Sequence, residues 1–134
     1  IDQVGKITPK RILNSDIEEI RSVGLSAAKT KTILGLAEAA KNLDLEKIDS
    51  KPDLEIYEQL TKLWGIGPWT VDMFMMFQLG KLNVWPVGDL GVRRGWEKIH
   101  KLKEEITPAV LMKKGEKFHP YRSVVAWYCW RAVD

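Results

Sequence analysis

The sequence is short of the side chains that build reactive or cross-linked sites: it holds one cysteine and two histidines in 134 residues. Cys129 alone cannot close an internal disulfide, and no cysteines and histidines cluster at metal-ligand spacing, so a structural zinc or an iron–sulfur cluster is excluded on ligand count. No metal and no cofactor is expected. Long apolar runs are missing too. None approaches the roughly 18 to 20 uncharged residues of a membrane-spanning helix, and the N-terminus shows no basic-then-apolar signal pattern. The expected setting is therefore the cytoplasm, including a nucleoid, or the nucleus, with no membrane partner. Alternating β-branched stretches are scarce, which argues against a sheet. His100 and His119 stand apart from one another and read as surface or capping residues.

What is present is apolar periodicity. With 45% hydrophobic and 29% charged residues the chain reads as one globular domain over residues 1–134, and apolar positions recur at helical spacing almost throughout, so the expected fold class is all-α. Thr8-Pro9 opens a first helix and Asn14 or Ser15 a second, which Gly24 ends. Ser26 caps a helix expected over residues 27 to 43, with Ile33, Leu34, Ala37, Ala40 and Leu43 as its stripe and Lys29, Lys31 and Lys41 facing water. Leu54, Tyr57, Leu60 and Leu63 mark another, stopping at Trp64-Gly65. From residue 71 to 79 only Asp72 and Gln78 are polar, and a helix apolar nearly all round belongs in the centre of a fold. Further helices are expected over about 90 to 101, from Thr107-Pro108 to Gly115, and from Pro120 through Trp130.

The net charge of +3 is unevenly placed. Residues 89 to 134 carry 10 basic and 6 acidic side chains, whereas residues 1 to 50 carry 8 of each, so the excess lies where a polyanion could be held. Solvated helices often carry such a bias without meeting nucleic acid.

The segment Leu63-Trp64-Gly65-Ile66-Gly67-Pro68-Trp69-Thr70 joins two helices with almost no loop. Gly65 and Gly67 allow positive φ and close backbone approach, Pro68 is pre-set for a first helical turn, and the unpaired amides that follow point outward with the positive end of the helix dipole. A phosphate fits such a place, with Ile66 packed inward as a brace; a plain tight connection between two helices would use the same glycines. Twenty-two residues after Gly67 comes Asp89, in Trp85-Pro86-Val87-Gly88-Asp89-Leu90-Gly91-Val92-Arg93-Arg94-Gly95. An aspartate there suits a helix N-cap, and a cap favours its ionised form.

Taken together, the hairpin string and the Asp89 string resemble the helix-hairpin-helix DNA glycosylases, closest to the 3-methyladenine DNA glycosylase II type. Trp64 stands where that family usually has proline, and Val71 where it has alanine. The resemblance continues through Gly24-Leu25-Ser26, Lys29, Asp72-Met73-Phe74, Pro120-Tyr121-Arg122-Ser123 and Trp127-Tyr128. It implies a glycosylase fold, Asp89 as catalytic carboxylate, and phosphate contacts from Gly65, Ile66, Gly67, Trp69 and Thr70. It also implies a base pocket that includes Trp69 and Trp130, with Tyr121 and Trp127 in second rank. The implied reaction is hydrolysis of the bond between deoxyribose and an alkylated purine turned out of double-stranded DNA. Family members that also cut the strand carry a lysine where this chain has Trp69, and those related to endonuclease III add a four-cysteine loop, so the monofunctional branch is implied. The alternative is a non-catalytic helix-hairpin-helix module that binds DNA or a protein. The family's domain has further helices before the stretch matched by residues 1 to 24. The chain is accordingly expected to be the C-terminal portion of that domain, with apolar faces open to self-association or a second chain.

Overall fold

Five helices begin where a short polar side chain takes up a backbone amide that the helix itself cannot satisfy. In the computed structural model, which describes residues 7–43 and 47–134, Thr8 caps α1 (Pro9–Asn14), Asp16 caps α2 (Ile17–Ser22) and Ser26 caps α3 (Ala27–Ala39). Asp89 caps α6 (Leu90–Ile99) and Thr107 caps α7 (Pro108–Gly115). Between these groups lie α4 (Asp53–Leu60) and α5 (Pro68–Met73), and α8 (Arg122–Val133) closes the chain. No strand occurs among the described residues, and no helix there is long and apolar enough to cross a membrane. The chain divides into two compact units, Ile1–Pro68 and Trp69–Asp134.

In the first unit α1 and α2 pack on α3, and the buried side chains are Ile20, Thr30, Ala37, Ile48, Ile56 and Leu60. Three expectations are corrected here. The second helix is opened by Asp16, whose carboxylate accepts the Glu18 amide at 3.0 Å, and not by Asn14 or Ser15; Ser15 instead bonds back to Arg11 O and ends α1. Helix α3 stops at Ala39, short of residue 43, because the amides of Lys41 and Asn42 turn to carbonyls three residues back and tighten the last turn. Leu54 is 71% exposed, and the inward pair on α4 is Ile56 and Leu60, one turn apart. The three lysines expected to face water do so, with the Lys31 ammonium 4.1 Å above the Trp64 ring. Beside α3 an apolar groove of about 480 Å³ stays open, lined by Ile12, Ile20, Val23, Ile33 and Leu36 among others.

The second unit is built on α6 and α8. Its core joins Trp85, Val92, Trp96, Ile106, Leu111, Ala126 and Cys129, with Trp130 packed against it. The two helices approach so closely that a Cβ on Gly95 would overlap the Cys129 carbonyl. That contact brings the N-terminus of α6 alongside the end of α8. Trp85 is buried with its indole donating to Leu111 O at 2.9 Å, which satisfies its one polar atom.

Two further expectations shift in this unit. The apolar run after α5 is not enclosed on all sides: Val71 and Met75 are buried, but Phe77 is 66% exposed. Residues Phe74–Gln78 form a π-helical turn in which the Leu79 amide reaches back five residues to Phe74 O, and the extra residue rotates Phe77 outward. The last helix begins at Arg122, two residues after Pro120, because Tyr121 at φ −112° and ψ 31° is not yet helical. The first-turn amide of Ser123 is taken by Leu82 O at 2.9 Å.

Candidate active site

The second unit gathers three polar side chains that are distant in sequence. Asp89, at the start of α6, is only partly buried, and each of its carboxylate oxygens accepts an indole N–H. Trp69 Nε1 donates to Oδ2 at 2.7 Å and Trp130 Nε1 to Oδ1 at 2.8 Å. The Val92 amide also donates to Oδ1, at 2.8 Å, so the cap and the two-indole clamp coexist on one carboxylate. Burial pushes the Asp89 carboxyl upward, but the donors from Trp69, Val92, Trp130 and Gly91 outweigh it and hold the group below the ordinary carboxylate range. At neutral pH this side chain is an anion fixed in orientation.

Each helix has a local reason to deliver its part. Trp69 is the second residue of α5, directly after Pro68, and its ring is 54% exposed. Trp130, in the last turn of α8, rests on the core and is stacked by Phe77, with ring centroids 5.9 Å apart and planes inclined by 30°. The closeness of Trp130 depends on Gly91: a Cβ there would lie 2.8 Å from Trp130 Cδ1 and 3.1 Å from Asp89 Oδ1. Both indoles therefore turn their N–H edges to the carboxylate.

Of the aromatic residues singled out from the sequence, the structure brings Trp69 and Trp130 to Asp89. Tyr121 and Trp127 lie outside that hydrogen-bond set. Tyr121 is 59% exposed, and Trp127 lines a shallow groove with Met76, Phe77, Leu82 and Val124 while meeting Tyr128 edge-on at 5.4 Å. His100 stacks on Trp96 at 4.0 Å between centroids and ends α6, and His119 is exposed. Cys129 is buried in the core, and burial raises its thiol to about 11. No three His, Cys, Asp or Glu side chains converge as a metal site among the described residues.

The hairpin glycines differ from each other. Gly65 has φ +80°, and a Cβ on it would overlap Thr32 Oγ1 of α3, so the turn requires glycine twice over. Gly67 is partly buried, has no positive φ, and a Cβ on it would meet nothing within 4 Å, so no close approach there requires glycine. Ile66 is partly buried and its amide donates to Leu63 O at 3.1 Å. Thr70 is partly buried.

Three residues of this neighbourhood escaped the reading of the sequence as site residues: Phe77, Gly91 and Asp72. The register of a π turn and the partner of a glycine are long-range outcomes, but Asp72 had a visible signal as the single charge in the apolar run from 71 to 79. It is partly buried, and burial followed by the charge of Asp89 pushes it up to about 6.

Comparison with known proteins identifies the family of the chain. Residues 1–120 match the family described as HhH-GPD superfamily base excision DNA repair protein. The chain is 35% identical over 127 residues to DNA-3-methyladenine glycosylase 1 of Schizosaccharomyces pombe, covering 92% of this chain and 56% of that protein. The solved structure of the Schizosaccharomyces pombe 3-methyladenine DNA glycosylase in complex with abasic DNA superposes with a TM-score of 0.86 over 92% of this chain and 62% of that one. A DNA-3-methyladenine glycosidase from Bacillus halodurans superposes with a TM-score of 0.87 at 32% identity, over 98% of this chain and 63% of that one. The chain thus spans somewhat more than half the length of these relatives, and it belongs to the HhH-GPD superfamily of base excision DNA repair proteins.

Proposed function

We propose that the chain carries the catalytic carboxylate of a monofunctional DNA glycosylase that hydrolyses the N-glycosidic bond of alkylated purines in double-stranded DNA. The observation that carries this reading is the anionic Asp89, held on both oxygens by indole donors at the end of a helix. As the bond between C1′ and the base breaks, the sugar gains oxocarbenium character, and a fixed carboxylate beside it stabilises that charge. The donors that lower the Asp89 carboxyl make it a poor proton acceptor. Its role is therefore chiefly electrostatic, with water oriented rather than deprotonated by it. An alkylated purine is already cationic and leaves as a neutral molecule, so little acid assistance is required.

The exposed Trp69 supplies an electron-rich face on which a flipped cationic base can stack, and Phe77, itself stacked on the partly buried Trp130, supplies a further exposed ring on that side of the pocket. The backbone around Gly67 and the first amides of α5 suit a phosphate, supported by the outward dipole of the helix. Double-stranded DNA bearing damaged bases is the partner this reading requires, in a nucleoid or nucleus. Trp69, in the position of a lysine nucleophile, cannot form an imine, which supports simple hydrolysis without strand cutting.

The test is single-turnover release of 7-methylguanine from a duplex by the chain and by Asp89→Asn. Asparagine still caps α6, so the fold should stand, while loss of the anion should lower release by at least about a hundredfold with duplex affinity largely kept. Near-normal release by the variant would reduce Asp89 to a cap.

A further inference from the structure

The end of α6 far from Asp89 opens onto a cleft that the reading of the active site does not use. It measures about 540 Å³ and lies within the second unit, between the loop at 100–107 and α7 with the turn that follows it. Asp89 is the N-cap of α6 and His100 its C-cap, and ten residues at about 1.5 Å each set the two places roughly 15 Å apart.

The cleft has an apolar floor and a basic rim. Trp96 and Ile106 show it an edge of the core, and the exposed side chains of Leu102 and Val110 continue that surface outward. Lys103 stands on the loop side, with Lys114 and Lys117 on the side of α7 and the 3-10 turn Glu116–Phe118. None of the three makes an ion pair among the described residues, and Lys117 meets only the Phe118 ring, 5.0 Å from its centroid, which leaves its charge unneutralised. Against them stand Glu104 and Glu105, and Glu105 is already paired with Arg94. Three lysines thus face one uncommitted carboxylate, over a surface whose burial is favourable.

The walls are set before anything binds. The Ile106 amide donates to Glu97 Oε1 at 2.7 Å, the Leu102 amide donates to Glu97 O at 3.0 Å, and the Thr107 side chain caps α7. His100 is stacked on Trp96 with centroids 4.0 Å apart.

We propose that this cleft docks an acidic segment of a partner protein, with an apolar side chain of that segment on the floor and its carboxylates at the lysines. Charge complementarity selects the occupant. The outside of duplex DNA brings an unbroken row of phosphates, which Glu104 opposes, and no apolar group to cover Leu102 and Val110. A peptide brings discrete carboxylates with an apolar residue between them. The proposal goes beyond the reading of Asp89 and is tested without base release.

The chain is panned against a library of random 12-residue peptides, and the enriched peptide is labelled and titrated by fluorescence anisotropy. Enrichment of Asp and Glu around Leu, Ile or Phe is the expected result. Lys103→Glu combined with Lys114→Glu should weaken binding at least about tenfold, chiefly through slower association, and Val110→Asp should weaken it as much at any salt concentration. All three positions are exposed, so an unchanged Tm should show that the fold stands. The lysine variant alters no apolar contact and keeps the test decisive even if Val110→Asp unfolds. Saturating undamaged duplex should leave the peptide bound. Absence of acidic peptides from the enriched set, or binding that a folded variant keeps, overturns the proposal. So does displacement of the peptide by the duplex, which would make the cleft part of a DNA-binding surface. Self-association of the chain that Val110→Asp abolishes would make a second copy the occupant and overturn it equally.

Discussion

At Asp89 one carboxylate serves as helix cap, acceptor for two indoles and proposed charge stabiliser, and Gly91 is the residue on which the combination turns. Any side chain at 91 must displace either the Trp130 ring or the carboxylate, because its Cβ would come within 2.8 Å of one and 3.1 Å of the other. The carboxylate is anchored by the Val92 amide and the Trp69 indole, so the ring is the part that yields. Gly91→Ala should therefore break the Trp130–Asp89 hydrogen bond and let the Asp89 carboxyl rise toward its ordinary range. A hydrogen bond to a charged group contributes about 1.5–3 kcal/mol, so base release should fall roughly ten- to a hundredfold. The indole N–H resonance of Trp130 reports the geometry independently. Unchanged release together with an unmoved resonance would mean that Trp130 is not a working donor to Asp89.

Between elements, the part with the least slack is the junction of the 81–84 loop with α8. Ser123 is buried, and its hydroxyl accepts the Val84 amide at 2.9 Å while donating to Lys81 O at 2.7 Å. Ser123→Ala would leave the Val84 amide without that acceptor at a buried place, a cost of about 1–3 kcal/mol. Urea unfolding should show that loss, and a change below about 0.5 kcal/mol would mean that the loop re-pairs elsewhere. The hydroxyl is invisible to sequence reasoning because its partners lie some forty residues away. The caps at Thr8, Ser26 and Thr107 were legible for the opposite reason, since each bonds an amide three residues on and depends on no distant neighbour. Asp89 was legible both ways, as a local cap and as part of a family string. Phe77 and Ile56 were not, because the π turn that exposes one and the packing that buries the other are decided by what the helix meets.

Over the whole molecule the relevant property is where the charge excess lies. The last 46 residues, 89 to 134, hold 10 basic side chains against 6 acidic ones, while the first 50 are balanced, so attraction to a polyanion comes from the same stretch that carries Asp89. On the proposed reading, the anionic Asp89 opposes that attraction locally, so the surrounding lysines and arginines would supply affinity for phosphates and the site would supply selectivity. Two of those arginines are already committed: Arg94 pairs with Glu97 and Glu105, and Arg131 with Asp134. The number of phosphates neutralised should therefore be small, about four, the excess of basic over acidic side chains in this stretch. On that count duplex affinity should fall on the order of a hundredfold between 50 and 200 mM salt, because each neutralised phosphate releases condensed counterions. The preference for a positively charged over an uncharged central nucleotide should change far less over the same range, since the proposed Asp89 interaction is at short range and its carboxylate is partly buried. Fluorescence anisotropy with the two duplexes across a salt series measures both. A selectivity that collapses with salt as steeply as affinity does would place its origin in the diffuse surface charge instead of in Asp89.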